Sequence, residues 1–124
     1  MPEPITLSFP AHASNVALAR TTAATLAARL DFTIDQVEDA RLAIDEAVSQ
    51  LITGGDETVT CSFIISGTEL TMVVASNALN APLPDPEGFG WIVMRALVDE
   101  VRAEELGGLV TLTLLMRGLE PAGA

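Results

Sequence analysis

Lysine is absent from this chain, and cysteine, histidine and tryptophan each occur once. The single cysteine, Cys61, excludes an intramolecular disulfide, and its place among strand-forming residues reads as a buried small hydrophobe. The single histidine, His12, has no second histidine to join it in a metal cluster or a proton relay, so a surface or capping role is expected. No apolar run approaches the ~20 residues of a membrane-spanning helix. The short acidic start Met1-Pro2-Glu3-Pro4 is unlike the basic opening of a signal peptide, and a cytoplasmic chain is expected. Positive charge is scarce as well. Six basic residues, all arginine, stand against seventeen acidic ones, for a net charge of −11. Such a surface repels phosphate backbones, which argues against direct binding to DNA or RNA, and attracts a basic protein partner. The same acidity also keeps a chain soluble.

What is present is apolar and periodic. With 124 residues and 49% hydrophobic content, the chain is read as one domain, 1–124, burying roughly two-thirds of its unfolded surface. Ile5 to Phe9 alternates as a short strand, and Pro10 is expected to stop it. Ser14 is expected to cap a helix with Val16, Ala19, Ala23, Leu26, Ala27 and Leu30 at helical spacing. A second helix, Ile34 to about Leu51, opens with a Thr33/Gln36 capping box and a Phe32/Val37 staple. Its apolar stripe is Val37, Ala40, Ile44, Ala47, Val48 and Leu51, and Gly54-Gly55-Asp56 ends it. Arg41 and Asp45, four apart, are expected to pair on its surface.

Thr58 to Ile65 and Leu70 to Ala75 read as strands joined by the turn Ser66-Gly67-Thr68-Glu69. Asn77 to Glu87 carries three prolines and no period, so it reads as a loop. A third helix is expected from Gly88 to about Val101. Val101 to Leu106 and Leu109 to Met116 then flank a Gly107-Gly108 turn, and the tail after Gly118 is expected to fray. The order β-α-α-β-β-α-β-β predicts an α+β two-layer sandwich, three helices on one face of a mixed, largely antiparallel sheet.

Glu46 and Gln50, four apart, share one helix face, and Gly88-Phe89-Gly90 opens another helix with bare N–H groups at its positive end. A carboxylate, an amide and an anion-accepting helix start are parts of a magnesium-nucleotide site. Taken without further context, Asp45, Glu46 and Gln50 also read as the solvated face of an amphipathic helix. Trp91 reads as a core or cleft-filling aromatic.

The runs Asn15-Val16-Ala17-Leu18-Ala19-Arg20, Leu42-Ala43-Ile44-Asp45-Glu46-Ala47-Val48-Ser49 and Gly88-Phe89-Gly90-Trp91-Ile92-Val93-Met94-Arg95-Ala96-Leu97-Val98-Asp99-Glu100-Val101 resemble the bacterial anti-sigma factor serine kinases of the RsbW type. These belong to the gyrase, histidine-kinase and MutL (GHKL) ATPase superfamily. The resemblance covers roughly Ile5 to Met116. It implies a histidine-kinase-like ATPase fold and a homodimer that sequesters a sigma factor. Such proteins release it when an unphosphorylated antagonist protein binds instead, and they inactivate that antagonist by phosphorylating its serine with ATP and Mg2+. It further implies Glu46 as general base, Gln50 in the place of the magnesium ligand, and Ser76 where an aspartate takes the adenine amino group. Gly88 and Gly90 would lie at the phosphates, and Asn15 and Arg20 would face partner proteins.

The match is uneven. Gln50 pushes its carbonyl out by one methylene from an asparagine's position, and magnesium demands near-ideal geometry. Ser76, or Asn77 after a register slip, lacks the carboxylate, and Ala78 stands where a glycine is usual. Asp85 and Glu87 bring negative charge to the helix start where a triphosphate would sit. The expectation is therefore a partner-sequestering regulator with weakened or lost ATP binding. The alternatives are an active serine kinase of the same family and a dimerising scaffold with neither activity.

Overall fold

Apolar residues at every second strand position and every third or fourth helix position require two layers, and a computed structural model, describing residues 3–118, has them. The order is β1 (Ile5–Pro10), a single 3-10 turn (Ala13–Asn15), α1 (Val16–Arg29), α2 (Ile34–Leu51), β2 (Thr58–Ser66), β3 (Glu69–Ser76), α3 (Phe89–Leu97), β4 (Glu100–Leu106) and β5 (Leu109–Arg117). The five strands form one sheet in the order β1-β2-β3-β5-β4. Every pairing is antiparallel, with Val59 opposite Ser76 and Ala103 opposite Leu112. The sheet is thus wholly antiparallel, because each neighbouring pair is a hairpin or a return across the helices. The expected tail after Gly118 lies outside the described residues.

One face of the sheet is covered. Val59, Cys61, Phe63, Leu70, Met72, Val74, Val110, Leu112 and Leu114 point to the helices and are essentially without exposed surface. Cys61 is the buried small hydrophobe its neighbours implied, and burial pushes its thiol pKa up to about 12. Helix α2 lies over β3 and β5, with α1 along one side and α3 along the other. The small residues Ala19, Ala23 and Ala27 of α1 and Ala40, Ala43 and Ala47 of α2 are fully buried, as close packing of the layers requires. The opposite sheet face is Thr- and Ser-rich, with Ser8 on Thr60 at 2.9 Å between hydroxyls.

Local chemistry sets the boundaries. The capping box is complete: the Gln36 N–H donates to Thr33 Oγ1 at 3.1 Å, and the Thr33 N–H donates to Gln36 Oε1 at 3.0 Å. Gln36 Nε2 also donates to the Arg117 carbonyl at 3.0 Å, tying the helix start to β5. Both residues of the Gly107-Gly108 turn have positive φ, 63° and 83°, as a two-residue hairpin requires.

Four boundaries and pairings differ from the sequence reading. Pro10 belongs to β1, opposite Thr58, because an edge strand can spare an N–H. Ser14 lies within the 3-10 turn, so Asn15 holds the N-cap position of α1, without a side-chain cap bond. Asn15 Nδ2 instead donates to the Pro10 carbonyl at 2.9 Å, fastening the strand end to the helix start. Helix α3 stops at Leu97, because Asp99 and Glu100 are drawn to β5: the Arg117 N–H donates to Asp99 Oδ2 at 2.7 Å, and Glu100 pairs with Leu115. Arg41 pairs with Glu38 at 3.3 Å rather than with Asp45.

A clasp closes the other end of α2. Glu57 is buried, and its Oε1 accepts from the Thr53 N–H at 2.7 Å and the Thr53 hydroxyl at 2.9 Å. The N–H of Thr53 foremost, then Glu57's own N–H and the Thr53 hydroxyl, hold this carboxyl below the usual glutamate range. A depressed folded-state value means stability present above the unfolded pKa of about 4.3 and lost as pH falls through the folded one. Thermal melts of wild type and Glu57→Gln should therefore differ most at neutral pH, with wild type higher. The gap should close on acidification below about pH 4; a gap independent of pH would refute this role.

Candidate functional site

Successive residues on a helix point about 100° apart, and α2 has a neighbour on each flank. Asp45 turns toward α1, where its Oδ2 accepts from Arg20 Nη1 at 3.3 Å. Glu46 turns the other way, toward α3, together with Gln50, whose Nε2 donates to Glu46 Oε1 at 3.2 Å. Gly90 is buried against that pair. A Cβ built on it would lie 2.1 Å from Gln50 Nε2 and 2.3 Å from Glu46 Oε1. The second glycine of Gly88-Phe89-Gly90 is thus where α3 meets the polar face of α2, and the ends of Glu46 and Gln50 fill the space that its missing side chain leaves. Phe89, between the glycines, is 82% exposed.

A turn held by Asp85 leads into α3. The Glu87 N–H donates to Asp85 Oδ1 and the Gly88 N–H to the Asp85 carbonyl, both at 2.9 Å. These bonds lie before the helix, whose N-cap residue Gly88 has no side-chain cap bond and whose first turn holds no acidic residue, so Asp85 adds negative charge to the approach rather than capping the helix. Ser76 occupies the last core-facing position of β3 and is 5% exposed. Its hydroxyl accepts the Ala78 N–H at 3.0 Å. Asn77 extends the β2–β3 ladder instead, its Oδ1 accepting the Thr58 N–H at 2.8 Å. The structure therefore gathers Glu46, Gln50 and Gly90, keeps the bonds of Ser76 local, and puts no carboxylate at the end of β3. Among the described residues, no three His, Cys, Asp or Glu side chains converge on a metal-sized site.

This is the arrangement of helices and sheet found in one widespread family, whose model, the histidine kinase-like ATPase domain, matches residues 9–114. The chain belongs to that family. It is 31% identical to the anti-sigma F factor of Clostridium acetobutylicum, over 90% of each chain. It is 30% identical to the anti-sigma F factor of Thermoanaerobacter sp. strain X514, again over 90% of each. The anti-sigma-F factor RsbW of Mycobacterium tuberculosis is 30% identical over 79% of this chain and 60% of its own. A solved structure of the RsbU and RsbW domains of a Mycobacterium tuberculosis protein superposes with a TM-score of 0.72 over 97% of this chain at 22% identity. That likeness establishes the fold, and the chain spans about a third (34%) of that longer protein. Among the described residues, no helix is long and apolar enough to cross a membrane.

Two features of the site were not read from sequence. The partner of Asp45 is Arg20, twenty-five positions earlier, with the closer Arg41 engaged elsewhere. Trp91 lines a cavity of about 380 Å³ with Leu83, Pro84, Pro86, Arg102, Ala103 and Glu104, so the cleft it fills lies between the proline loop and β4. A double-mutant cycle on Arg20→Ala and Asp45→Ala should give a stability coupling of ~0.2–1 kcal/mol, because both groups are partly exposed. Chemical denaturation measures it, and a coupling of zero would remove the pair from the description of the α1–α2 contact.

Proposed function

We propose that this chain is an anti-sigma-factor-like regulator that sequesters a sigma factor in a partner-switching system, in the cytoplasm and as a homodimer, without relying on phosphoryl transfer. The observation that carries this reading is the match to two anti-sigma F factors over nine-tenths of both chains. Helix α1 supplies the contact surface. Arg20 stands on it with its guanidinium held at 3.3 Å by Asp45, which pre-orders the long side chain for a carboxylate on a partner. Arg20 has further N–H donors beyond the one given to Asp45, and bidentate pairing is what guanidinium geometry favours. Asn15, at the same end of α1, holds the approach to the helix in place through Pro10.

The family is one of ATPases, yet the residues here are a poor fit for ATP and Mg2+. A buried hydroxyl, Ser76, stands where a carboxylate would take the adenine amino group. Asp85 and Glu87 bring negative charge to the loop just before α3, and Glu46 and Gln50 bond to each other across the space beside Gly90. Losing one charge-assisted hydrogen bond costs ~1.5–3 kcal/mol, about ten- to a hundredfold in affinity. Were nucleotide held at all, Glu46 would be the group beside the acceptor hydroxyl and Gln50 the one beside the metal, with Gly88 and Gly90 at the phosphates. Calorimetry with Mg-ATP should register no binding at micromolar nucleotide, and Gln50→Asn combined with Ser76→Asp should raise the affinity. Tight binding by the wild type would overturn the proposed loss, and no gain in the double variant would overturn the site assignment.

The partner reading is tested by co-purification with the host's sigma factors and antagonist-type proteins, with light scattering for the dimer. Arg20→Ala should weaken sigma-factor capture about ten- to a hundredfold while leaving the melting curve nearly unchanged. Recovery of neither partner class would leave a scaffold as the better description.

A further inference from the structure

The cavity under Trp91 has none of Glu46, Gln50 and Arg20 in its lining, and nothing in the proposed function uses it. Its walls come from three elements. Leu83, Pro84 and Pro86 of the long loop form one side, Trp91 of α3 another, and Arg102, Ala103 and Glu104 of β4 the third. At about 380 Å³ it falls within the roughly 300–1,000 Å³ of ordinary ligand sites. Two prolines and a half-buried indole make rigid apolar walls that need little ordering on binding. The loop is tethered nearby: the Asn80 N–H donates to the Gly108 carbonyl at 2.7 Å, and Leu79 and Asn80 lie against Gly108. β4 is the last strand of the sheet, so among the described residues one side of its backbone has no strand partner and can pair with another extended chain.

Charge selects the occupant. Glu104 lines the cavity, exposed Asp85 and Glu87 flank it on the loop, and exposed Glu105 lies on the same strand, whose Glu100 is already paired with Arg117. Arg102 is the single positive group in the lining, and among the described residues it makes no ion pair. The surroundings are net negative, as is the whole chain at −11. Trp91 adds a ring face that attracts cations. We propose that the β4 edge and the Trp91 cavity form a docking groove for an extended, basic segment of a partner protein. The segment adds beside β4, inserts an apolar side chain against Trp91, and sets its basic side chains against Glu104 and the loop carboxylates. This rests on the partner-binding reading above and adds to it a second surface, on the opposite flank of α2 from Arg20.

Trp91 is the only tryptophan and the chain has no tyrosine, so intrinsic emission reports this one site. The intact protein is titrated with the amidated peptide Arg-Val-Arg-Leu-Arg-Val-Arg, whose apolar and basic side chains alternate as a strand requires. A saturable shift in Trp91 emission is expected, weakened by salt and reduced about tenfold or more when glutamate replaces every arginine of the peptide. The shift should also weaken in Glu104→Gln, which leaves the apolar walls intact, and disappear in Ala103→Phe, which fills the cavity. Arg20→Ala should leave it unchanged. No saturable shift, an equal response to the acidic peptide, or full binding by Ala103→Phe would overturn the groove. An equal shift produced by free arginine amide would overturn the extended-segment occupant in favour of a small cation. Peptide binding in a protein that captures no sigma factor would sink the earlier reading and leave the groove standing, whereas capture without peptide binding would do the reverse.

Discussion

Helix α2 meets the sheet through Ala40, Ala43, Ile44, Ala47, Val48 and Leu51, none of which retains accessible surface, and every other element takes its place from that contact. A stripe so completely buried fixes the rotation of the helix about its axis, since turning it would bring charge into the core and expose the aliphatic side chains. Its ends are pinned as well, by Thr33 and Gln36 at the start and by the Glu57 carboxylate that holds Thr53 after the last turn. With the rotation set, adjacent residues diverge: Asp45 can reach only α1, and Glu46 and Gln50 can reach only α3.

This geometry separates two roles that one helix carries. The flank toward α1 ends in an ion pair whose cation keeps donors to spare. The flank toward α3 ends in a carboxylate and an amide bonded to each other beside a glycine. A nucleotide enzyme needs the second flank to be hungry for ligand, with unsatisfied donors and a purine acceptor. Here Gln50 Nε2 donates to Glu46 Oε1 at 3.2 Å, and the Asp85 carboxylate accepts the Glu87 N–H in the loop that leads into the helix. Family membership fixes the scaffold, and these side chains decide how much of the scaffold's chemistry survives.

The sequence made legible whatever a few neighbouring residues decide. The capping box of Thr33 and Gln36, the glycine turn at 107–108 and the alternation of β2 and β3 are all local and all stand as read. Long-range competition was not legible. Arg41 and Asp45 have good helical spacing, but Arg20 from another helix takes the aspartate. Leu97 to Val101 has helical periodicity, but pairing of Glu100 with Leu115 turns the segment into strand. Trp91 was recognisable as a residue filling some cleft. Which cleft depended on where the proline loop and β4 come to rest, and no short spacing encodes that.

The burial of Cys61 at the centre of β2, opposite Val74 and Leu7, has a consequence for how such a molecule is controlled. A protonated sulfur sealed between the sheet and the helices is invisible to peroxide, disulfide exchange and electrophiles until that core opens. Oxidative stress therefore has no thiol lever on the described part of the folded protein, and alkylation of this sulfur would count global opening events, serving as a clock for how often the molecule loses its shape.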